Sequence, residues 1–408
     1  MSRRELESLT RVEAADVYKV GHLAARVERM GDGTVHFAYL GDYLAGGGPA
    51  VATTLPLSDD PVVTRAGAVP PFFAGLLPEG RRLSGLRRAL KTSADDELSL
   101  LLAVGRDTVG DVQVVPRGEE PVSAEPLIVV DRSWSEVRFA DVLGDAGIVD
   151  PVGIPGVQDK ASARMISVPI GQAGERFMLK VDPPEFPHVV ENEAFFLELA
   201  HHARIARAEA RVVTDADDRP GLLVRRFDRA AHPDGTTSAL ACEDAAQVLG
   251  RWPADKYLLS TEEVVSALAD RCAARPVALR ALFQQVCFAW LTGNGDLHAK
   301  NLSILSTDQQ EWRASPAYDL PSTVPYGDLT LALPLQGRTR GLSRRHLLSF
   351  ADDIGLPERA AASVLDGLLE RLADQGERLR GGALPFAQKV TADMAAELRH
   401  RRRAAQAS

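Results

Sequence analysis

The chain is short of cysteine, of lysine and of long apolar runs. Its three cysteines, Cys242, Cys272 and Cys287 in 408 residues, are too few for a disulfide framework and lack metal-site spacing. They suit a reducing compartment, and a cytoplasmic protein is expected. The longest apolar runs, such as residues 100–104, fall far below the roughly 18 residues of a membrane-spanning helix. The opening MSRRELESL has no apolar signal-peptide core, so no membrane association is expected. Positive charge is also scarce: 47 basic residues face 56 acidic ones, for a net charge of −9. Such a balance gives no global electrostatic reason to coat nucleic acid. Of the 47, seven are lysines. Where arginine is the default cation, a retained lysine hints at a need for a compact ammonium. Three of the seven (Lys160, Lys180 and Lys300) fall in the segments that carry chemistry.

Hydrophobic residues make up 45% and charged residues 25%, a composition that supports packed cores, and the length predicts two or three domains. Residues 12–57 read as strands and hairpins, including AVATTLPL at 50–57. A helical stretch follows over 69–101, then a turn and strand over 105–116. Acidic, Pro-containing RGEEPVSAEP is a linker candidate, which sets the first boundary near 120. In the next unit, 121–228, a Gly/Pro loop (145–160) precedes two strand candidates, SARMISVPI and RFMLKV. A helix over 188–203 and strands near 211–213 and 221–229 complete a small α+β unit. The third unit, 229–408, is mostly helical. Leu279, Leu282, Phe283, Val286, Cys287, Trp290 and Leu291 recur at helical spacing, which predicts one buried stripe. The arginine cluster at 399–403 suits a helix C-terminus.

The most informative segment is TGNGDLHAKNLSIL. Asp296 and Asn301 are five residues apart, the spacing of kinase catalytic loops, in which the Asp orients the attacking hydroxyl and the Asn oxygen holds Mg²⁺. A hairpin built from LSIL and EWRA would bring Asp319 of SPAYDLPST back beside Asn301 as a second metal ligand. One carboxylate and one amide oxygen suffice for Mg²⁺ when phosphates supply the rest. Upstream, Lys180 lies in the apolar strand FMLKV. It either points to solvent on the alternate face or neutralises a buried group. Glu193, with Val189, Phe196, Leu197 and Ala200 around it at helical spacing, faces inward and needs a partner; Lys180 is the natural one. GIPGVQDK at 153–160 offers backbone N–H groups and the Lys160 ammonium to phosphates, or is simply a turn. Backbone atoms near Arg225, Arg226 and Phe227 lie where a kinase hinge would meet adenine. The order is Gly loop, lysine strand, glutamate helix, hinge, DxxxxN and Asp, which is that of a two-lobed ATP-dependent phosphotransferase.

With LPL at 55–57, FFAGLLPEG at 72–80, GRDTVG at 105–110, GVQDK, the Asn192–Glu193 pair, RRFDR, GDLHAKN and YDL, the chain resembles the HipA family of serine/threonine kinases, toxins of bacterial type II toxin–antitoxin pairs. The resemblance implies an α+β, protein-kinase-like fold: an N-terminal extension over 1–120, an N-lobe over 121–228 and a helical C-lobe over 229–408. It implies binding of ATP and Mg²⁺ by Pro155, Gly156, Val157, Gln158, Asp159, Lys160, Lys180, Arg225, Arg226, Phe227, His298, Lys300, Asn301, Tyr318 and Asp319, with Glu193 setting Lys180 and Asp296 catalytic. It also implies a protein substrate such as an aminoacyl-tRNA synthetase. A small helix-turn-helix antitoxin would neutralise the kinase and carry it to operator DNA. Arg338 and Arg340 could touch phosphates there, or belong to a solvated loop. Gly153 stands where the family often has a self-phosphorylated serine, so that route lacks its hydroxyl and Ser162 or Ser167 would have to substitute. A small-molecule phosphotransferase of the aminoglycoside or choline kinase class shares GDLHAKN-like loops but not the N-terminal module. A catalytically silent co-regulator would be expected to have lost Lys180, Asp296, Asn301 or Asp319.

Overall fold

In a computed structural model the described residues are 3–121, 129–145, 165–172, 174–232, 236–307 and 311–407. The chain opens with a short helix, α1 (Arg3–Ser8), and three antiparallel strands, β1 (Ala14–Lys19), β2 (His22–Arg29) and β3 (Val35–Tyr39). Val20 and Gly21 both have positive φ, at 50° and 75°, which makes the tight turn that the right-handed twist of paired strands favours. Helix α2 (Gly41–Gly46), strand β4 (Val62–Thr64), helices α3 (Pro71–Gly75), α4 (Gly80–Leu90) and α5 (Glu97–Val104), and strand β5 (Val112–Pro116) complete this module. Its sheet runs β4-β3-β2-β1-β5. Ala15, Val17, Val27 and Phe37 pack under Phe73, Leu98 and Leu101. The strand expected over 50–57 is absent. There the chain turns at an isolated bridge between Ala52 and Leu55, and the Tyr39 hydroxyl donates to Leu55 O at 2.5 Å and accepts from Val51 N–H at 2.8 Å. A side chain thus satisfies backbone groups that a ladder would otherwise have paired.

The second sheet is built from β6 (Ile166–Gln172), β7 (Glu175–Val181), β8 (Ala210–Thr214) and β9 (Pro220–Arg225), in the order β6-β7-β9-β8. Helix α6 (Phe139–Asp145) covers one face and helix α7 (Val189–His202), between β7 and β8, the other. Alternation along β7 sends Phe177, Leu179 and Val181 toward Phe139 and Trp134. Met178 and Lys180 therefore point to the α7 face. Gly221 is required where it stands: a Cβ there would come within 2.6 Å of the Phe139 ring. The α7 residues Val190, Phe196, Leu199 and Ala200 belong to the large core of the C-terminal half. This helix is shared between the lobes.

That half begins with a hairpin, β10 (Arg229–Ala231) and β11 (Thr237–Ala239), followed by β12 (Cys242–Asp244) and helices α8 (Ala245–Val248), α9 (Thr261–Arg271) and α10 (Arg275–Thr292). Strands β13 (Ser303–Ser306) and β14 (Trp312–Ala314) form the expected hairpin, and β13 pairs with β12. Helices α11 (Arg344–Asp353), α12 (Glu358–Arg371), α13 (Gln375–Arg380) and α14 (Gln388–Gln406) close the chain. The single buried stripe expected on α10 is a correction: Gln285, Phe288 and Ala289 are buried as well, because α9, α12, α14 and β14 surround the helix. The arginine cluster is likewise more than a solvated helix end. Arg401 is 1% exposed and lies over the Trp290 ring at 4.2 Å. No helix among the described residues is long and apolar enough to cross a membrane.

Candidate active site

Lys180 projects from β7 into the cleft beneath α7. Its Nζ donates to both Glu193 oxygens, at 2.7 and 2.9 Å, and to Asp319 Oδ1 at 3.1 Å. Glu193 is fully buried on α7, as its apolar surroundings predict, and the exposed-face alternative for Lys180 falls away. Burial disfavours the ammonium, yet Asp319 and Glu193 together hold the Lys180 pKa above the ordinary lysine value. Two carboxylates share this one cation. Burial pushes the Glu193 carboxyl up to about 7, with Lys180 opposing the shift and Asp319 adding to it.

Asp319 follows the β13–β14 hairpin with φ at +56°, a left-handed conformation uncommon outside glycine and found preferentially at functional sites. Its carbonyl accepts from Asn294 Nδ2 at 3.2 Å, and its side chain is 23% exposed, open to the cleft. The loop after α10 presents Asp296. Gly293 ends the helix in the left-handed region at φ +70°, as a helix C-cap requires. A Cβ on Gly295 would meet Thr323 Oγ1 at 2.5 Å. The Asp296 N–H donates to Asn294 Oδ1 at 2.8 Å, and its carboxylate accepts from the Tyr257 hydroxyl at 3.1 Å. Burial and then the Asp296 charge raise the Tyr257 pKa, so the phenol remains a donor. Asn301 Nδ2 donates to Asp296 O at 2.8 Å, which turns the amide oxygen the other way. His298, 4.0 Å from Asp296, is pushed down to about 3 by burial and by the neighbouring Lys256; it stays neutral and accepts from the Lys300 N–H at 3.2 Å.

The other expected residues divide into three groups. Pro155, Gly156, Val157, Gln158, Asp159 and Lys160, with Gly153 and Ser162, lie outside the described residues. Tyr318 and Phe227 meet ring to ring at 5.5 Å, and the Tyr318 hydroxyl donates to Lys300 O at 2.7 Å. Arg225, Arg226 and Lys300 are engaged elsewhere. Arg225 pairs with Glu175 at 2.8 Å and Glu209 at 3.2 Å on the surface. Arg226 is buried between Asp107 at 2.6 Å and Asp228 at 2.8 Å, and donates to Thr108 O at 2.7 Å. It ties the N-terminal module to the sheet above. The backbone N–H groups of both arginines are used, by Glu209 O and Arg176 O; the Phe227 N–H bonds none of the described residues. Lys300 reaches toward the N-terminal module. Arg338 and Arg340 sit on an exposed turn. Sequence reasoning missed Tyr257 and Asn294, which hold Asp296, and Asn192, which joins α7 to the Asp319 loop. No periodicity marks Tyr257; Asn192 was visible only as the neighbour of Glu193.

Residues 15–115 match the HipA N-terminal domain, and residues 152–375 match the HipA-like C-terminal domain. The chain is 30% identical over 393 residues to Y4mE, a candidate kinase of Sinorhizobium fredii, covering 89% of this chain and 91% of that protein. It is 27% identical over 365 residues to the serine/threonine-protein kinase toxin HipA of Shewanella oneidensis, covering 82% of this chain and 81% of that one. Among solved structures, the complex of Shewanella oneidensis HipA with HipB and operator DNA superposes with a TM-score of 0.76 at 20% identity, over 96% of this chain and 97% of that one. At that identity the likeness is one of fold.

Proposed function

We propose, from the premise that the chain belongs to the HipA family of kinases, that it transfers the terminal phosphoryl group of ATP to a serine or threonine hydroxyl of a protein. The observation that carries this reading is Lys180, held at once by the helix carboxylate Glu193 and by Asp319. A strand lysine fixed by a buried glutamate is poised to meet the phosphates of a nucleotide. The site fits Mg²⁺ through its donors: hard oxygens of Asn301 and Asp319, beside a cluster in which two carboxyl groups share the one ammonium of Lys180. Asn301 and Asp319 would hold such an ion, which would supply positive charge to offset that of the phosphates. Asp296, kept in place by Tyr257 and Asn294, orients the substrate hydroxyl and takes its proton as the oxygen bonds to phosphorus and the bond to the ADP oxygen breaks. Lys180 steadies the phosphates, the GIPGVQDK motif at 153–160 is assigned to the same task on its sequence alone, and Phe227 and Tyr318 flank the base.

The biological reading follows the solved relative, which sits in a complex with HipB and operator DNA. We assign this chain the role of toxin, with a small helix-turn-helix antitoxin as partner, DNA contact mainly through that partner, and a translation component such as an aminoacyl-tRNA synthetase as substrate. The decisive experiment compares ATP consumption by Asp296→Asn and wild type in the presence of that substrate. A loss of at least about 10²-fold is expected, because phosphoryl transfer rests on positioning and electrostatics. Equal rates would refute the assignment.

A further inference from the structure

The catalytic loop is anchored from outside the kinase lobes. Lys300, between Asp296 and Asn301, extends its side chain away from the Lys180 cluster to the α3–α4 segment of the N-terminal module. Its Nζ donates to Gly75 O at 2.8 Å and lies 3.3 Å from Asp244 and 3.4 Å from Glu79. The other oxygen of Glu79 accepts from Lys256. Lys256 in turn touches the same loop once and a residue that holds it once. Its carbonyl faces the Ala299 N–H at 3.3 Å, and its ammonium stands 5.3 Å from the ring of Tyr257, whose hydroxyl holds Asp296.

The loop itself has little regular backbone support. It is one turn of 3-10 helix, with N–H bonds from His298 to Asp296 O and from Asn301 to His298 O. Its geometry therefore depends on contacts from outside the loop, and Glu79 holds the side chains of two lysines that supply them: Lys300 from within the loop and Lys256, whose carbonyl accepts from the Ala299 N–H. We infer that the N-terminal module is a built-in activator of the kinase, with Glu79 a positioning residue that fixes the Asp296 loop through Lys300 and Lys256. This rests on the catalytic reading of Asp296. Glu79 touches neither Asp296 nor Asn301 in any observed contact; it acts through the two lysines.

The test uses the full chain carrying Glu79→Gln, with Arg81→Ala as control. Arg81, in the first turn of α4 two residues after Glu79, clamps both oxygens of Glu185 at 2.7 and 2.6 Å, so it docks the module through a partner other than Lys300 and Lys256. Glu79→Gln should speed amide hydrogen exchange in residues 296–301 and lower kcat about tenfold or more with KM for ATP within about twofold, because small displacements of a catalytic group cost rate rather than binding. Arg81→Ala should leave both near wild type. Lys256→Gln cuts the same link from the other side and replaces Glu79→Gln should that variant misfold. Wild-type exchange in the loop of the Glu79 or Lys256 variant, or equal mobilisation by Arg81→Ala, would overturn the inference. Should the wild type show no Asp296-dependent ATP consumption, the kinase reading fails, while the exchange data still decide whether Glu79 holds the loop.

Discussion

Asn192 and Ser322 exchange two hydrogen bonds across the lobe boundary: Asn192 Nδ2 donates to Ser322 O at 2.8 Å, and the Ser322 N–H donates to Asn192 Oδ1 at 3.1 Å. Both residues are fully buried. The pair locks the helix bearing Glu193 to the loop bearing Asp319, so Lys180 meets both carboxylates in one fixed geometry. Asn192→Ala strands a buried N–H and a buried carbonyl together. The expected cost is about 2–4 kcal/mol from the two unsatisfied groups, read as a lower urea midpoint with an unchanged slope. A variant as stable as wild type would show that the two elements are held in register by packing alone.

His298 gives the fold a defined acid sensitivity. Its pKa is pushed from 6.5 down to about 3, so the native state keeps it neutral while the unfolded chain takes up a proton below pH 6.5. Stability from this group is complete above about 6.5 and falls as the pH drops toward 3, by about 1.4 kcal/mol per pH unit. His298→Asn, which keeps an acceptor for the Lys300 amide, should flatten this slope by about one proton in urea titrations at pH 5, 6 and 7. An unchanged slope would mean that the imidazole is protonated in the folded protein.

How much of this was legible beforehand differs by element. The DxxxxN spacing, the hairpin after it and the inward face of Glu193 come from local pattern, and each was readable because one short stretch carries it. The partners of Asp296 were not: Tyr257 lies 39 residues upstream, in a segment without periodicity, and reaches the site only through the packing of the C-terminal half. Arg226 and Lys300 show what motif position does not carry. The N-terminal module supplies Asp107, Gly75 and Glu79 to their side chains, because a buried cation goes to the carboxylates that reach it. Residues 50–57 had strand composition, and the Tyr39 hydroxyl took the bonds that a ladder would have made.

Arg401 anchors the last helix to the helix that leads into the catalytic loop. It donates to Glu397 at 2.7 Å, Trp290 O at 3.1 Å and Leu329 O at 2.8 Å. Arg401→Met fills much of the same space but takes the side-chain donor from Leu329 O and leaves Trp290 O with the Gly293 N–H alone, at an expected cost of about 1–3 kcal/mol. Thermal unfolding measures the loss. Arg402→Met, whose side chain donates to the single carbonyl of Leu369, should cost less than half as much. Equal effects would mean that helix propensity, not the Arg401 network, sets the difference.

Glu193 reverses the sign of the His298 effect. Its carboxyl, raised from 4.5 to about 7, binds a proton more readily in the folded protein than in the unfolded chain. The stability it contributes is present below about 4.5 and is lost as the pH rises through 7. Between about 4.5 and 6.5 it opposes His298, so the wild-type profile shows only their difference, and single variants are needed to separate them. Glu193→Gln removes the carboxylate charge while keeping an acceptor for Lys180. It should therefore gain stability relative to wild type as the pH rises from 5 to 8, and lose activity at every pH because Asp319 alone then positions the ammonium. Urea midpoints at pH 5 and 8 and ATP turnover at pH 8 test both halves. A stability difference that stays the same between pH 5 and 8 would show that Glu193 is ionised throughout, balanced by Lys180.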